Sequence, residues 1–282
     1  MLNSIRITYK LADNKLRFLD FEMNKYNNNI FDLRLSDILI ALSLLTRIPV
    51  NLDHQDVDER AKQATWAYPL VGALIGAFAA LIANIANFFG LPFSICAILS
   101  LITMAIMTGG MHEDGLSDSA DGLWGGKNKD SILTIMKDSR IGSFGAIALI
   151  LVIIGRYASI NDLIKIETLF WPLVAAGAIS RVPMVGAMVF MQHARSDGLS
   201  VSVGKPPQFS LIVAAVIGTL ACLVSVGILG LLVVLCACLG AFPIFFTAYK
   251  KIGGQTGDIL GASQQAAELM ALASLAGILI IS

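Results

Sequence analysis

Long apolar runs separated by short polar segments make up most of this chain. A transmembrane helix needs about 20 apolar residues to cross ~30 Å of hydrocarbon. Six runs approach or exceed that length: residues 66–89, 92–111, 142–160, 168–191, 209–248 and 261–281. The fifth is long enough for two spans, and we expect it to break near Gly227–Gly230. The pattern therefore predicts an all-α fold, a polytopic transmembrane helical bundle of about seven spans.

One further apolar segment, residues 38–48, is too short to span. As a helix it would extend only about 17 Å at 1.5 Å per residue. Pro49 follows it and is expected to end the helix. We therefore predict a short amphipathic helix that lies at the membrane interface.

The start of the chain differs from the rest. Residues 1–35 are polar, rich in asparagine and mixed in charge, and they hold no apolar core of signal-peptide length directly after a basic start. We predict a weakly ordered N-terminal extension over residues 1–35. Residues 36–282 would then form one membrane-embedded catalytic domain.

Composition supports a membrane protein. The chain is 56% hydrophobic and 14% charged, whereas soluble domains carry about 25% charged residues. The formal net charge is zero, so the chain has no basic surface of the kind that nucleic acid requires. The four cysteines lie in apolar runs and are expected to be small buried hydrophobic residues rather than disulfides.

The basic residues are distributed unevenly between the two predicted sides of the membrane. If residues 38–48 do not cross, seventeen of the twenty Lys and Arg residues fall on the side that holds the N-terminus. The opposite side holds only Lys165, and Arg156 and Arg181 lie inside spans. The positive-inside rule places the side rich in Lys and Arg, and with it the polar loops, in the cytoplasm.

Acidic residues concentrate just after the uncharged run 92–111. Asp114, Asp118 and Asp121 are spaced four and three apart, so on a helix they share one face. Three carboxylates on one face repel each other unless a cation binds, and hard oxygen ligands suit Mg²⁺. The alternative is a solvated acidic loop. Glu113 points to another face, and His112 is either a ligand or a structural residue.

Two further segments hold candidate chemistry. Asp138 and Arg140 follow a short basic connector; Asp138 is a candidate for the metal site or the base, and Arg140 for a forked contact to phosphate. The alternative is a salt bridge between the two. Arg181 lies mid-span in the sequence SRVPM, where a charge usually faces a polar cavity, and a phosphate-facing role is favoured. Arg156 is expected to be structural.

The last polar cluster runs from Lys250 to Ala262 and contains three glycines before Asp258. An aspartate at a helix start is often only an N-cap. Together with Gln255, however, the glycine-rich segment favours a ligand-binding loop, because backbone N–H groups at a helix start attract anions.

These segments together resemble one family. TGGMHEDGLSDSADG, MKDSRIGSFG, SRVPM and GGQTGDILGA are similar, in order and spacing, to the signature of cobalamin synthase, the adenosylcobinamide-GDP ribazoletransferase family. LTRIPV and YPLVGALIG also match, and the likeness runs from about Ser36 to the C-terminus. Members commonly lack an acid at the position of Glu113, which lowers the weight given to that residue.

The resemblance implies the reaction. Adenosylcobinamide-GDP would be joined to α-ribazole or its 5′-phosphate, giving adenosylcobalamin or its 5′-phosphate and GMP. This enzyme would act with Mg²⁺, as a multi-pass protein in contact with lipid in the bacterial inner membrane, its site facing the cytoplasm; the oligomeric state is left open. By motif, the metal and catalytic candidates are Asp114, Asp118, Asp121 and Asp138, and the substrate-binding candidates are Arg140, Arg181, Gln255 and Asp258. The spacing does not select the carboxylate that acts as base.

Two other classes remain open from the residues alone. One is a Mg²⁺-dependent membrane transferase of the CDP-alcohol phosphatidyltransferase or prenyltransferase type, although the residues after Gly122 depart from the first pattern. The other is a transporter, which predicts acids near the bilayer midplane and internal repeats. Here the acids lie at one face and no repeat is evident.

Overall fold

The computed structural model describes residues 33–52 and 54–281, with side chains left undescribed at 54–56. The predicted extension over residues 1–35 lies almost entirely outside these residues. From Leu35 onward the chain forms one compact unit.

Within the described residues every regular element is a helix, and the all-α prediction is confirmed. The only β-type pairing there is an isolated bridge between His193 and Gln255. In chain order the helices are α1 Leu35–Leu45, α2 His54–Ala64, α3 Tyr68–Phe88, α4 Phe93–Thr108, α5 Met111–Gly125, α6 Lys129–Ile135, α7 Ser143–Lys165, α8 Phe170–Ile179, α9 Val182–Phe190, α10 Leu199–Val203, α11 Gln208–Val226, α12 Gly230–Ile252 and α13 Gly257–Ile281. Short 3₁₀ turns at Thr65–Ala67 and Gly227–Leu229 join α2 to α3 and α11 to α12.

Five helical segments of the described chain are long and apolar enough to cross a membrane. A sixth is added if α4 and α5, which meet at 88°, count as one broken span. Gln208–Ile252 is one of these five segments, although it divides at Gly227–Leu229, where the sequence predicts a break. A Cβ on Gly230 would lie 2.5 Å from the carbonyl of Cys222, so α12 folds back against α11. The predicted count of about seven is approximate.

The run 168–191 is not one continuous helix. It divides into α8 and α9 at Ser180–Arg181. Pro183 explains the break, because proline has no N–H to donate to the carbonyl of Ile179. Both halves are mostly buried within the bundle, so this segment forms its centre.

Small residues allow α3 and α8 to pack closely. A Cβ on Gly72 would lie 2.0 Å from the carbonyl oxygen of Gly177, and one on Gly76 would lie 2.1 Å from that of Leu173. Gly72 and Gly76 form the small-xxx-small pattern that permits close helix contact in membranes. Without a driving force from water, such close packing is a main source of helix association in lipid.

The short helix α1 matches the predicted interfacial segment, although it begins at Leu35 and ends at Leu45, before Pro49. A fully buried carboxylate anchors it. Asp37 accepts hydrogen bonds from Arg60 Nε at 2.8 Å and from Trp66 Nε1 at 3.0 Å. This pairing fixes α1 against the segment that leads into α3.

Candidate active site

The three aspartates predicted to share a helical face do lie on one helix, α5. Gly109 and Gly110 turn the chain sharply between α4 and α5, with φ of 67° and 72°, which L side chains rarely adopt. Because α5 then runs at 88° to α4, it does not continue along the direction of that span. Along α5, Asp114 is exposed, Asp118 half-buried and Asp121 buried.

Asp121 caps the next spanning helix. Its two carboxylate oxygens accept hydrogen bonds from the backbone N–H groups of Gly142, at 2.7 Å, and Gly145, at 2.9 Å, at the start of α7. A Cβ at either glycine would come within 2.4 Å of the Asp121 carboxylate, so this close approach requires glycine. A carboxylate is stabilised at a helix N-terminus because the free N–H groups there carry partial positive charge.

Asp138 and Arg140 form the salt bridge that was the alternative interpretation. Arg140 Nε donates to Asp138 Oδ1 at 3.0 Å, and Arg140 Nη2 donates to Oδ2 at 2.5 Å. The hydrogen bonds from Arg140 lower the pKa of Asp138 from 3.8 to about 2. Both residues line a shallow pocket together with Asp121. The Arg140 side chain is 86% exposed, so it is accessible to a ligand.

Asp258 lies in the first turn of α13, opposite α5. A Cβ on Gly115 would lie 2.9 Å from the backbone oxygen of Asp258, so the glycine lets the two helices touch. Asp258 Oδ2 accepts from Thr256 Oγ1 at 3.2 Å and pairs with Arg195 Nη1 at 3.2 Å. Asp258 therefore lies at the start of α13 and also forms an ion pair with Arg195.

The carboxylates influence one another across α5 and α13. The pKa of Asp118 is raised to about 7, first by burial and then by the negative charges of Asp114, Asp258 and Asp121, while Arg195 opposes the rise. Burial is the larger cause of this rise in pKa, and the neighbouring carboxylates add to it. A bound cation would favour the ionised carboxylates.

Gln255 ties two loops together. Its side-chain oxygen accepts from Ser200 Oγ at 2.7 Å, and its side-chain nitrogen lies 3.0 Å from His193 Nδ1. Its backbone N–H donates to Gln192 at 2.8 Å. Gln255 is 1% exposed, so the structure gives it a supporting position behind the site rather than an open one.

Arg181 lies in the core, fully buried, and its guanidinium meets a carboxylate. Nη1 donates to Glu268 Oε2 at 2.7 Å and to Ser180 Oγ at 2.8 Å. Arg156 Nη2 donates to the other oxygen, Glu268 Oε1, at 2.6 Å. Glu268 thus bridges two arginines from different spans, as expected when charges are held inside a membrane bundle. The proposed phosphate contact of Arg181 stays a prediction, and the geometry favours a structural role.

The four aspartates predicted to bind metal are not gathered into one cluster. Among the described residues, no group of three or more His, Cys, Asp or Glu side chains is placed to hold a metal ion. Asp121 is engaged by the start of α7 and Asp138 by Arg140. Asp114 and Asp118, with Asp258 nearby, are the carboxylates left at the open face.

The family assignment rests on a match over most of the chain. The sequence model of one family, described as cobalamin-5-phosphate synthase, matches residues 37–276. This chain belongs to that family. The match covers the acidic face of α5, the Asp138–Arg140 pair, both buried arginines and Asp258.

Curated members of the cobalamin-5-phosphate synthase family align over nearly the same length. An adenosylcobinamide-GDP ribazoletransferase of Bradyrhizobium diazoefficiens is 38% identical over 242 residues, which are 84% of this chain and 92% of that protein. Proteins of the same name from Mesorhizobium japonicum and Shewanella pealeana are 39% and 36% identical, over 84% of this chain and 92% and 93% of theirs. No solved structure matches the chain.

Sequence reasoning missed two residues of this region. Arg195 lies in the loop before α10, and nothing in its local sequence separates it from the other basic residues of the polar loops. Glu268 had a usable signal, since it is an acid inside an apolar helix while two arginines lie inside other spans. Opposite charges at membrane depth are expected to pair.

Proposed function

We propose that this chain is an adenosylcobinamide-GDP ribazoletransferase. It would transfer the adenosylcobinamide-phosphate moiety of adenosylcobinamide-GDP to α-ribazole or its 5′-phosphate. The products would be adenosylcobalamin or its 5′-phosphate, and GMP. The observation that carries the proposal is the match to the family and its named members across nearly the whole chain, acidic face included.

The reaction is an attack on a diphosphate. An oxygen at the 5′ end of the ribazole forms a bond to the cobinamide-side phosphorus. The bond from that phosphorus to the bridging oxygen breaks, and GMP leaves with the electron pair. A carboxylate of the site takes the proton of the attacking hydroxyl. Arg195, which pairs with Asp258, and the exposed Arg140 would donate hydrogen bonds to phosphate oxygens as negative charge develops.

The donor set at the open face suits Mg²⁺. This ion is usually held by one or two carboxylates together with substrate phosphates, rather than by a cage of protein ligands alone. Asp114 and Asp118 share one helical face and offer hard oxygens, so they would hold it. When bound, Mg²⁺ would neutralise the charge that builds on the diphosphate.

The apolar helices support a membrane protein. The distribution of Lys and Arg supports a cytoplasmic face for α5, α6, the loop that carries Arg195 and the start of α13. We accordingly place the protein in a bacterial inner membrane with its site on the cytoplasmic side. Neither a CDP-alcohol or prenyl transferase nor a transporter is favoured by the family match.

Purified full-length protein in detergent tests the proposal. GMP release from adenosylcobinamide-GDP is measured by chromatography with and without α-ribazole. We expect GMP only when α-ribazole and Mg²⁺ are both present. GMP release at the same rate with and without α-ribazole would contradict a transferase. The absence of any GMP release would contradict the proposed activity altogether.

A further inference from the structure

A cavity opens beside the acidic face. Its volume is about 720 Å³ including the open mouth, and it lies between α1, α3, α5, α9, α10 and α13. The acidic residues at its rim are Asp114 and Asp258, and Arg195 lies with them. The cavity therefore adjoins the place where the diphosphate would react.

Most of the cavity wall is apolar. The residues that form it include Leu44, Leu45, Met184, Met188 and Leu260. A concave, mainly apolar wall with a few polar groups at one end is typical of small-molecule sites. Methionine side chains are polarizable and adapt to flat ring systems. The wall thus suits an uncharged aromatic group better than a sugar or a phosphate.

One polar group lies deep in this wall. His112 lines the cavity and is 1% exposed, and its Nε2 atom has no hydrogen-bond partner among the described residues. A buried polar atom without a partner is destabilising unless a ligand or water satisfies it. An imidazole N–H at this position can donate one hydrogen bond to an occupant.

The geometry points to this cavity as the subsite for the acceptor nucleoside, an aromatic nucleoside of the benzimidazole class; the occupant rests on the proposed function. The dimethylbenzimidazole base of α-ribazole is apolar and has one unsubstituted ring nitrogen that accepts a hydrogen bond. In this arrangement the base lies among Met184, Met188 and the leucines, and its free nitrogen accepts from His112 Nε2. The 5′ end then lies at the rim beside Asp114.

A blocked mouth tests where the nucleoside binds. Leu199 lines the cavity and is 48% exposed, so Leu199→Trp should fold while narrowing the entrance. Leu231 on α12 is 50% exposed, does not line the cavity and gives the matched control Leu231→Trp. We expect Leu199→Trp to weaken α-ribazole binding, measured by equilibrium dialysis, and to raise KM for α-ribazole, each about tenfold, the scale of an overpacked site. KM for adenosylcobinamide-GDP should stay within about twofold of the wild-type value.

An analogue tests the hydrogen bond from His112. The indole ribonucleoside has CH in place of the unsubstituted ring nitrogen and cannot accept. The wild-type protein should bind it about tenfold more weakly than the benzimidazole nucleoside. His112→Leu should remove that preference, whereas His112→Gln, which keeps a donor, should retain part of it. Equal binding of the two nucleosides by the wild-type protein would overturn the contact with His112.

The measurements of binding and of turnover distinguish a failure of the cavity assignment from a failure of the proposed activity. If α-ribazole binds and Leu199→Trp weakens that binding, but no GMP is released, the cavity assignment stands and the proposed activity falls. If GMP is released normally and Leu199→Trp binds α-ribazole as tightly as Leu231→Trp does, the cavity is not the nucleoside subsite. If the wild-type protein shows neither binding nor turnover, both proposals are contradicted.

Discussion

Arg195 Nη1 lies 3.2 Å from Asp258 Oδ2 and joins the loop before α10 to the first turn of α13. The pair lies at the cavity rim, next to the acidic face of α5. It brings one positive charge to a region that holds the carboxyl groups of Asp114, Asp118 and Asp258. A guanidinium in that position is suited to neutralise a phosphate that enters between the two helices.

Arg195→Gln should lower kcat/KM for adenosylcobinamide-GDP by about a hundredfold, the scale of losing one charged donor to a developing negative charge. The measurement is the rate of GMP release over a range of substrate concentrations. Lys205→Gln, which changes an exposed basic residue just after α10, is the control and should remain close to wild type. If Arg195→Gln also stays close to wild type, Arg195 does not act on the substrate.

The acidic face should be essential. Asp118→Asn removes one negative charge at nearly constant shape, and turnover should fall at least about a hundredfold because a metal ligand's charge is lost. GMP release is followed at rising Mg²⁺ and in the presence of EDTA. Asp130→Asn, an exposed acid in α6, serves as the control. Full activity in EDTA, or an unaffected Asp118→Asn protein, would end the metal-site account.

Substitutions that break the ion pairs of the buried arginines should lower the stability of the protein rather than its affinity for substrate. Glu268→Gln removes the carboxylate that Arg156 and Arg181 share, and Arg156 keeps only its longer contact to Glu113 at 3.3 Å. The change should cost roughly 3–5 kcal/mol of stability, as expected for a broken buried ion pair. Arg181→Met leaves the Arg156–Glu268 pair intact and should cost less. Unfolding midpoints in detergent give the order, and the exposed Glu167→Gln is the control. A stable Arg181→Met protein with weakened affinity for adenosylcobinamide-GDP would instead assign Arg181 to the substrate.

Much of the fold follows from the apolar runs. The runs 66–89, 92–111 and 142–160 correspond to α3, α4 and α7, and the break near Gly227 is present. The sequence predicted one continuous span over 168–191. The division at Ser180–Arg181 was not predicted, although Pro183 explains it. Helix formation depends on local periodicity, which a single sequence displays.

The partners of the polar residues could not be read from the sequence. Arg181 donates a hydrogen bond to Glu268, which is 87 positions away in the chain. Asp121 accepts one from Gly142 at the start of α7, which is 21 positions away. Spacing placed Asp114, Asp118 and Asp121 on one face, but it could not indicate that backbone N–H groups engage Asp121. Such pairings depend on which helices pack together. Arg195 was missed for the same reason, since its relation to Asp258 exists only in three dimensions.

The Asp138–Arg140 pair should stabilise the folded protein at neutral pH and lose that effect in acid. The pKa of Asp138 in the folded protein, about 2, lies below its ordinary 3.8. A carboxyl whose pKa is lowered on folding stabilises the protein above its unfolded pKa, and that contribution is lost as the pH falls through the folded pKa. The difference in unfolding midpoint between wild type and Arg140→Gln should therefore be small and constant from about pH 5 to 8 and shrink between about pH 4 and 2. A difference that grows on acidification would contradict the pairing.

Topology should place α6 and the end of α7 on opposite sides of the membrane. In a background without native cysteines, Lys129→Cys should react with an impermeant thiol reagent only after the cells are permeabilised. Lys165→Cys, a matched lysine at the end of α7, should react in intact cells. Both residues are exposed, so burial does not explain a difference. Labelling of position 129 from outside would reverse the orientation derived from the basic residues.

The most direct measurement is acceptor-dependent GMP release by the purified full-length protein. Adenosylcobinamide-GDP and Mg²⁺ are supplied throughout, α-ribazole is added or withheld, and both GMP and the corrinoid product are quantified. The account predicts equal amounts of GMP and adenosylcobalamin, formed only with α-ribazole and lost in Asp118→Asn. GMP formed without a matching corrinoid product, or no GMP at all from a folded protein, would contradict it.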